Sequence, residues 1–344
     1  MTSNTGIFGI ELPVVQAPMA GVQGSAMAIA VSNAGGLGSL PCAMLSPEAL
    51  RSELAAVTAG TSRPFNVNFF CHATPLPDAA RETAWMHVLR PYYVELGVEA
   101  SSAHAGGERA PFSRATVDVL GEFKPPVVSF HFGLPSGDLL DRVRSWGATI
   151  VSSATTVDEA RWLEAHGVDV IVAQGVEAGG HRGTFLSDDV TTQVGTFALV
   201  PQIVRAVNVP VIAAGGIADA AGVSAAMALG AAGAQIGTAY LLCPEATTSA
   251  IHRAALSSDA AGRTALTNVF TGRPARGIVN RLIREIGPMS PLAPQFPRAA
   301  AAVQPLRAKA EAGGSGDFSP LWAGQNARGC TVAPAADLTR ALAP

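Results

Sequence analysis

Val211-Ile212-Ala213-Ala214-Gly215-Gly216-Ile217-Ala218-Asp219, an alanine-rich stretch to Leu229, and then Ala234-Gln235-Ile236-Gly237-Thr238 decide the fold. A short apolar run ends in two glycines. A helix-forming segment opens on Asp219, a residue whose side chain suits a helix N-cap. A second apolar run then ends in Gly237-Thr238. Strand, turn, helix and strand in this order make a βαβ unit, which requires parallel strands.

The same alternation runs through the upstream sequence. Apolar runs at Val14–Ala17, Leu37–Leu40, Asn66–Phe70, Val127–His131, Thr149–Ser152 and Val170–Ala173 precede the opening unit. Val211–Ala214 and Ala234–Ile236 are therefore the seventh and eighth predicted strands. Helical patterns fall at Ser25–Asn33, Pro47–Ala59, Gly137–Trp146, Val157–His166, Thr196–Val207 and Asp219–Leu229. Eight strands alternating with helices predict an α/β fold, a closed (β/α)8 TIM barrel, rather than an open sheet. No G-x-G-x-x-G follows any of these strands, so the dinucleotide fingerprint of the open sheets is missing.

Two regions exceed a minimal barrel. Between the third and fourth strands lie an apolar helical run near Glu82–Leu96 and a Gly/Ala/Ser-rich loop near Gly97–Pro111. After the eighth strand, residues 245–317 read as a smaller helical lid and substrate domain. Residues 1–244 and 318–344 then form the barrel, with the final Ala/Pro-rich residues expected as a weakly structured tail.

Composition excludes several classes. The 344 residues are 48% hydrophobic and only 14% charged, which suits a large buried core. Net charge is −3 with no basic run, so nucleic acid and anionic membrane are poor partners. The first 50 residues contain no Lys or Arg, so a signal peptide's charged region is missing. Apolar stretches break well before the ~20 residues of a membrane span. Cys42, Cys71, Cys243 and Cys330 stand far apart without a C-x-x-C, so neither a disulfide framework nor a zinc site is expected and a cytoplasmic location is.

In a (β/α)8 barrel the chemistry gathers at the C-terminal ends of the strands. Here those ends carry Ala17-Pro18-Met19, Asn68, His131, Gln174, Gly215-Gly216 and Gly237-Thr238, with Gly179-Gly180-His181-Arg182-Gly183 just beyond the sixth strand. Glycines after the seventh and eighth strands let amides approach phosphate oxygens, and Thr238 adds a hydroxyl. The plainer reading is that these glycines only make tight turns. Asn68 and Gln174 are amides suited to the donor–acceptor edge of a flavin, or else to loop backbone. His131 and His181 sit past strand ends beside glycines and are the candidate catalytic residues. His87, His104, His166 and His252 read as structural, and His72 leans the same way. Arg182 suits either an anion or an ion pair, and Glu177 suits the holding of a loop.

Taken in order, Gln16–Gly21, Ser32–Gly38, Asn68-Phe69-Phe70, His131-Phe132-Gly133, Gly179–Gly183, Ala214–Ile217 and Gly237-Thr238-Ala239 resemble the first class of the nitronate monooxygenase (2-nitropropane dioxygenase) family. Phe270–Gly277 and Leu321–Gln325 extend the resemblance, which spans about residues 8 to 328. The resemblance implies an FMN-binding barrel. Asn68, Gln174, Gly179, Gly180, Gly215, Gly216, Gln325 and the run Gln235, Ile236, Gly237 and Thr238 would contact the cofactor, and Ala17, Pro18 and Met19 would line one flavin face. It also implies oxidation of alkyl nitronates, or nitroalkanes, by O2 to a carbonyl compound and nitrite through a flavin semiquinone. Relatives often carry aromatic hydroxyls in the lid. This chain has no tyrosine between Glu245 and Asp317, and Phe296 stands where a Tyr is common.

On this reading His181 positions the nitronate oxygens, or serves as general base for a neutral nitroalkane, with His131 as a second donor. No metal is expected, and the protein would be a monomer or homodimer. The nearest alternative is an NAD(P)H-dependent flavin reductase acting on quinones or enoyl thioesters. A barrel of the inosine-monophosphate dehydrogenase type needs a nucleophilic Cys after the sixth strand, and Gln174–Gly195 contains none. A non-catalytic flavin-binding module would leave two mouth histidines without a use.

Overall fold

The computed structural model describes residues 6–99 and 109–344. Its strands are β1 (Val14–Gln16), β2 (Gly38–Pro41), β3 (Phe65–Phe70), β4 (Val127–His131), β5 (Thr149–Ala154), β6 (Val170–Gln174), a two-residue β7 (Gly180–His181), β8 (Val211–Ala214) and β9 (Gly233–Ile236). All but β7 join one sheet, ordered β1-β9-β8-β6-β5-β4-β3-β2, with every neighbouring pair parallel. The two ends of that order meet. Val15 and Leu37 form a parallel bridge, with Leu37 N–H donating to the Val14 carbonyl at 2.9 Å and Gln16 N–H to the Leu37 carbonyl at 2.9 Å. The eight parallel strands thus make the expected TIM barrel.

The two-residue strand period sorts side chains between lumen and helix layer. Phe65, Val67 and Phe69 of β3 pack outward, which leaves Asn66, Asn68 and Phe70 facing the lumen. The starting ends of the strands enclose a plug of Phe8, Val15, Val127, Val170 and Ile212, with Ile7 and Ile10 against it. The N-terminal end of the barrel is therefore filled. The polar lumen residues sit higher, towards the C-terminal mouth.

The helices are α1 (Ser25–Asn33), α2 (Pro47–Gly60), α3 (Ala79–Leu96), α4 (Arg114–Phe123), α5 (Gly137–Arg144), α6 (Val157–Ala165), α7 (Thr196–Ala206) and α8 (Ala220–Ala228). Local chemistry sets their starts. Ser46 accepts from Ala49 N–H with Pro47 following it, Thr156 accepts from Glu159 N–H, and Asp219 accepts from Gly222 N–H. α4 is not among the expected helices; Ser113 caps it, and Val117 and Leu120 bury its inner face. Most of the expected Gly97–Pro111 loop lies outside the described residues.

The segment expected as a lid, 245–317, holds α9 (Ala250–Leu256), β10 (Thr264–Thr267), β11 (Ala275–Ile278), α10 (Arg281–Ile286) and α11 (Ala299–Ala312). It is therefore not wholly helical. β11 pairs antiparallel with β10 on one side and with β7 on the other, placing Ala275 opposite His181 and Arg276 opposite Gly180. A second core joins Trp85, Leu89 and Tyr93 of α3 to Val303 and Leu306 of α11 and to Phe270, Leu282 and Phe318. Tyr93 donates its hydroxyl to the Ala302 carbonyl at 2.6 Å. The insertion between the third and fourth strands thus packs with the segment that follows β9.

The expectation of a weakly structured tail is overturned. Ala335–Ala341 form α12, whose first amide is held by the Glu245 carboxylate at 3.1 Å. Ala335, Leu338 and Leu342 fall on one helical face and are buried. The Thr339 and Tyr240 hydroxyls meet at 2.9 Å, and α12 packs on α1. Alanine and proline content obscures this stripe, because only two of its members are large.

Candidate active site

Lumen-facing positions bring Asn68, Phe70, His131, Ser153 and Gln174 to the mouth of the barrel. Asn68 donates through Nδ2 to Ser129 Oγ at 2.9 Å. Gln174 bonds to its own loop. Its Nε2 donates to the His181 carbonyl at 3.0 Å, and its Oε1 accepts from Gly183 N–H at 2.8 Å. A side chain at the end of β6 therefore clamps the loop that follows β6. Both of its polar atoms are spent on backbone.

His131 reinforces that clamp. Its Nε2 lies 3.2 Å from the same His181 carbonyl, and its Nδ1 lies 2.6 Å from Ser153 Oγ. A carbonyl only accepts, so Nε2 must carry the proton and Nδ1 must accept from the serine hydroxyl. Burial, with Arg273 and Arg182 nearby, pushes the His131 pKa down to about 3 and keeps the ring neutral. Both nitrogens are committed to the fold, so His131 acts on the backbone of His181. Gly183 must be glycine here: an added Cβ would lie 2.7 Å from Ser153 Oγ and 2.8 Å from His131 Cε1.

The His181 side chain points elsewhere. Its Nε2 lies 2.9 Å from the Thr271 hydroxyl, contributed by the lid. Its ring sits among Phe296 at 5.2 Å, Trp322 at 5.5 Å, Phe132 at 6.1 Å and Phe70 at 6.4 Å between centroids. Burial first, then the Arg109 cation, His131 and Arg273, hold its pKa well below the ordinary histidine value. His181 is thus a neutral imidazole in an aromatic chamber.

The chamber is also cationic. Arg273 lies 4.1 Å over the Phe132 ring and donates to the Thr184 carbonyl, and Arg109 lies 5.4 Å over the Phe296 ring. Burial lowers the pKa of both guanidinium groups. His72 completes the wall, 4.8 Å from Phe296. Its pKa falls to about 4 through burial, opposed by an Arg109 backbone group and assisted by Arg273 and Arg109. Among the described residues neither Arg109 nor Arg273 forms an ion pair with a carboxylate, though Asp188 and Glu159 act on Arg273 through space. Such a site favours a planar anion.

Arg182 takes the structural role, by hydrogen bonds instead of an ion pair. It is completely buried and donates to the carbonyls of Gly175 (2.8 Å) and Gln174 (2.5 Å) and to Gln193 Oε1 (2.8 Å). Burial, then Arg276, lowers its pKa to about 9. Arg182 ties the loop after β6 to the strand it leaves. Glu177 does hold a loop, accepting from Thr196 N–H at 2.7 Å and from its hydroxyl at 2.8 Å.

The expected glycine cradle comes together on the other side of the mouth. Gly215 and Gly216 have φ of +114° and +75°, values that glycine adopts without strain. A Cβ on Gly179 would lie 2.6 Å from Gly324 N, so these two backbones approach closely. Thr238 Oγ1 accepts from Gly324 N–H at 2.9 Å and keeps its own proton to donate. Gly237 approaches Ala17 and Met19, which joins the Ala17-Pro18-Met19 turn to this face. Gln235 lies half-buried on β9, while the Ile236 side chain is buried and its carbonyl accepts from Ala17 N–H at 2.8 Å. Gln325 is exposed, and its N–H donates to the Glu177 carbonyl at 2.9 Å. Gly180 lies in β7 with φ +72°. Sequence reasoning missed Ser153, Arg109, Thr271 and Arg273. Only Thr271 and Arg273 carried a signal, as members of the Phe270–Gly277 stretch.

A barrel with its chemistry at the C-terminal mouth, a neutral histidine and a cationic aromatic chamber defines an enzyme. The nitronate monooxygenase family model matches residues 2–344. A nitronate monooxygenase of Pseudomonas aeruginosa is 43% identical over 340 residues, 98% of this chain and 97% of that one. The Paraburkholderia phytofirmans nitronate monooxygenase is 42% identical over 353 residues, 99% and 96% of the two chains. Among solved structures, a nitroalkane oxidase from Streptomyces ansochromogenes superposes with a TM-score of 0.88 at 39% identity, covering 97% of this chain and 95% of that one. FabK from Thermotoga maritima gives 0.72 at 27% identity, covering 99% and 94%. The chain belongs to the nitronate monooxygenase family, a flavin-dependent oxidoreductase group that oxidises nitronates. No described helix is long and apolar enough to cross a membrane.

Proposed function

We propose that this protein oxidises alkyl nitronates, and less readily nitroalkanes, with O2 to a carbonyl compound and nitrite, using FMN. The observation that carries the reading is His181, neutral and walled by aromatic rings, facing a chamber with two half-buried arginines that form no ion pair among the described residues. An anionic, planar nitronate matches that chamber in charge and shape.

The residues fit FMN. Among the described residues the amides of Gly216 and Gly237 donate to no other group. They lie after β8 and β9, where barrels of this type hold phosphate. Close packing of Gly179 on Gly324 leaves backbone, not side chains, facing the cradle. Asn68 keeps its carbonyl oxygen for a ring N–H, and Ala17, Pro18 and Met19 supply an apolar face. Gln174 differs: its amide supports the cofactor only through the loop it clamps. When bound, FMN supplies the one-electron and O2-reducing chemistry. The chain orients the substrate through His181, offsets its negative charge with Arg109 and Arg273, and excludes water with Phe70, Phe132, Phe296 and Trp322. His131 holds the His181 backbone. The lid in this reading is 245–317 together with α3, and the enzyme works in the cytoplasm as a monomer or homodimer.

The test is nitrite release from the purified, FMN-loaded protein given ethyl nitronate in air. Turnover beyond the protein concentration is expected. His181→Ala should retain flavin and lose about 10²–10⁴ in kcat with nitroethane, the usual contribution of a positioned general base. A His181→Ala protein turning over nitroethane at the wild-type rate would overturn the assignment. Anaerobic bleaching by NADPH, with no reaction of nitronate, would favour the reductase reading instead.

A further inference from the structure

We propose that Thr271 fixes the ring of His181: its buried hydroxyl accepts the His181 Nε2–H, so that Nδ1 is the unprotonated nitrogen offered to the substrate. The inference rests on His181 being the substrate-facing residue of the proposed function.

Thr271 is 3% exposed, and its oxygen has two polar neighbours. His181 Nε2 lies at 2.9 Å and the Arg273 carbonyl at 3.5 Å. The hydroxyl owns one proton. The carbonyl accepts only, so a proton directed to it leaves the oxygen to accept from Nε2–H. A neutral imidazole with its proton on Nε2 has its lone pair on Nδ1. Nδ1 has no hydrogen-bond partner among the described residues.

Thr271 is held in place. Its loop leads into β11, which pairs with β7 at His181 itself. Arg182 N–H donates to the Pro274 carbonyl at 2.8 Å, and Arg273 reaches across to the Thr184 carbonyl. Lid and catalytic loop are thus bolted together around the hydroxyl. Phe296 and Trp322 restrict the ring against flipping.

The consequence separates two substrates. With a neutral nitroalkane, the C–H bond beside the nitro group breaks, its proton goes to Nδ1, and the electron pair moves onto the nitro oxygens to give the nitronate. The resulting imidazolium keeps Nε2–H on Thr271. A preformed nitronate skips this proton transfer and needs only positioning. Thr271 is thus a positioning residue whose loss falls on nitroalkane turnover.

The experiment compares nitroethane and ethyl nitronate on the FMN-loaded wild type, Thr271→Val and Thr271→Ser. Thr271→Val should lower kcat for nitroethane about 10–100-fold, within the span of positioned general-base catalysis, while ethyl nitronate falls about threefold or less. Thr271→Ser should restore nitroethane turnover. An equal fall on both substrates, or none, would overturn the proposal. Nitrogen-15 spectra of histidine-labelled wild type supply a readout independent of turnover. A proton on Nε2 of His181 is expected, and a proton on Nδ1 overturns the proposal. If neither substrate releases nitrite, the proposed function fails, and the tautomer alone decides the role of Thr271.

Discussion

Replacing Ser153 by Ala removes one oxygen from a chain of three groups. Ser153 Oγ donates to His131 Nδ1 at 2.6 Å, and His131 Nε2 donates to the His181 carbonyl at 3.2 Å. Without the serine, Nδ1 becomes a buried acceptor with no donor. Leaving such a group unsatisfied costs about 1–3 kcal/mol. Unfolding entropy of about 2.1 cal/mol/K per residue gives roughly 0.7 kcal/mol/K for 344 residues. The expected drop in Tm is therefore about 1.5–4 °C for a single transition. The neutral ring also loses the partner that dictates its tautomer. A proton that moves to Nδ1 takes the donor away from the His181 carbonyl, which leaves Gln174 alone on that carbonyl. Turnover of ethyl nitronate should then fall, with His181 itself unaltered. Differential scanning calorimetry on the flavin-saturated protein and steady-state nitrite release measure both effects. A Ser153→Ala protein with unchanged Tm and unchanged kcat would refute the claim that this chain holds the catalytic loop.

Two further predictions concern stability. His72, His131 and His252 have pKa values lowered to about 4, about 3 and about 4, mainly by burial. The unfolded chain binds their protons more readily, so their contribution is complete above about pH 6.5 and is lost as pH falls towards 4. The urea midpoint should already drop between pH 7 and 5, above the carboxylate range, and a flat midpoint there would contradict the buried neutral histidines. Leu338→Ala removes a buried side chain of α12 and should cost about 2–5 kcal/mol. A cost under about 0.5 kcal/mol by urea titration, the level of an ordinary surface change, would mean that α12 does not dock.

The barrel was legible because its strands are bounded apolar runs. Val127–His131 and Val211–Ala214 match the expected limits, and the other barrel strands agree to within two residues. A two-residue period then places Asn68, His131 and Gln174 at the mouth. What sequence spacing does not encode is the partner of each group. Gln174 carries the right chemistry for a cofactor edge, yet the nearest donors and acceptors are those of its own loop. β10 and β11 escaped notice because Thr264–Thr267 and Ala275–Ile278 carry no strong alternation, and β11 buries Arg276 as a donor to the Val176 carbonyl at 2.8 Å. Arg109 and Thr271 approach His181 only after residues far apart in the chain are folded together. No local pattern announces such a meeting.

The pairing of β7 with β11 has a kinematic consequence. The strand that carries His181 belongs at once to the lid's sheet and, through Gln174 and His131, to the barrel. Two bodies pinned along one line swing only about that line. A rotation of the 245–317 segment that preserves these bonds would take β7–β11 as its axis, leaving His181 nearly still and shifting Phe296, across the chamber, relative to it.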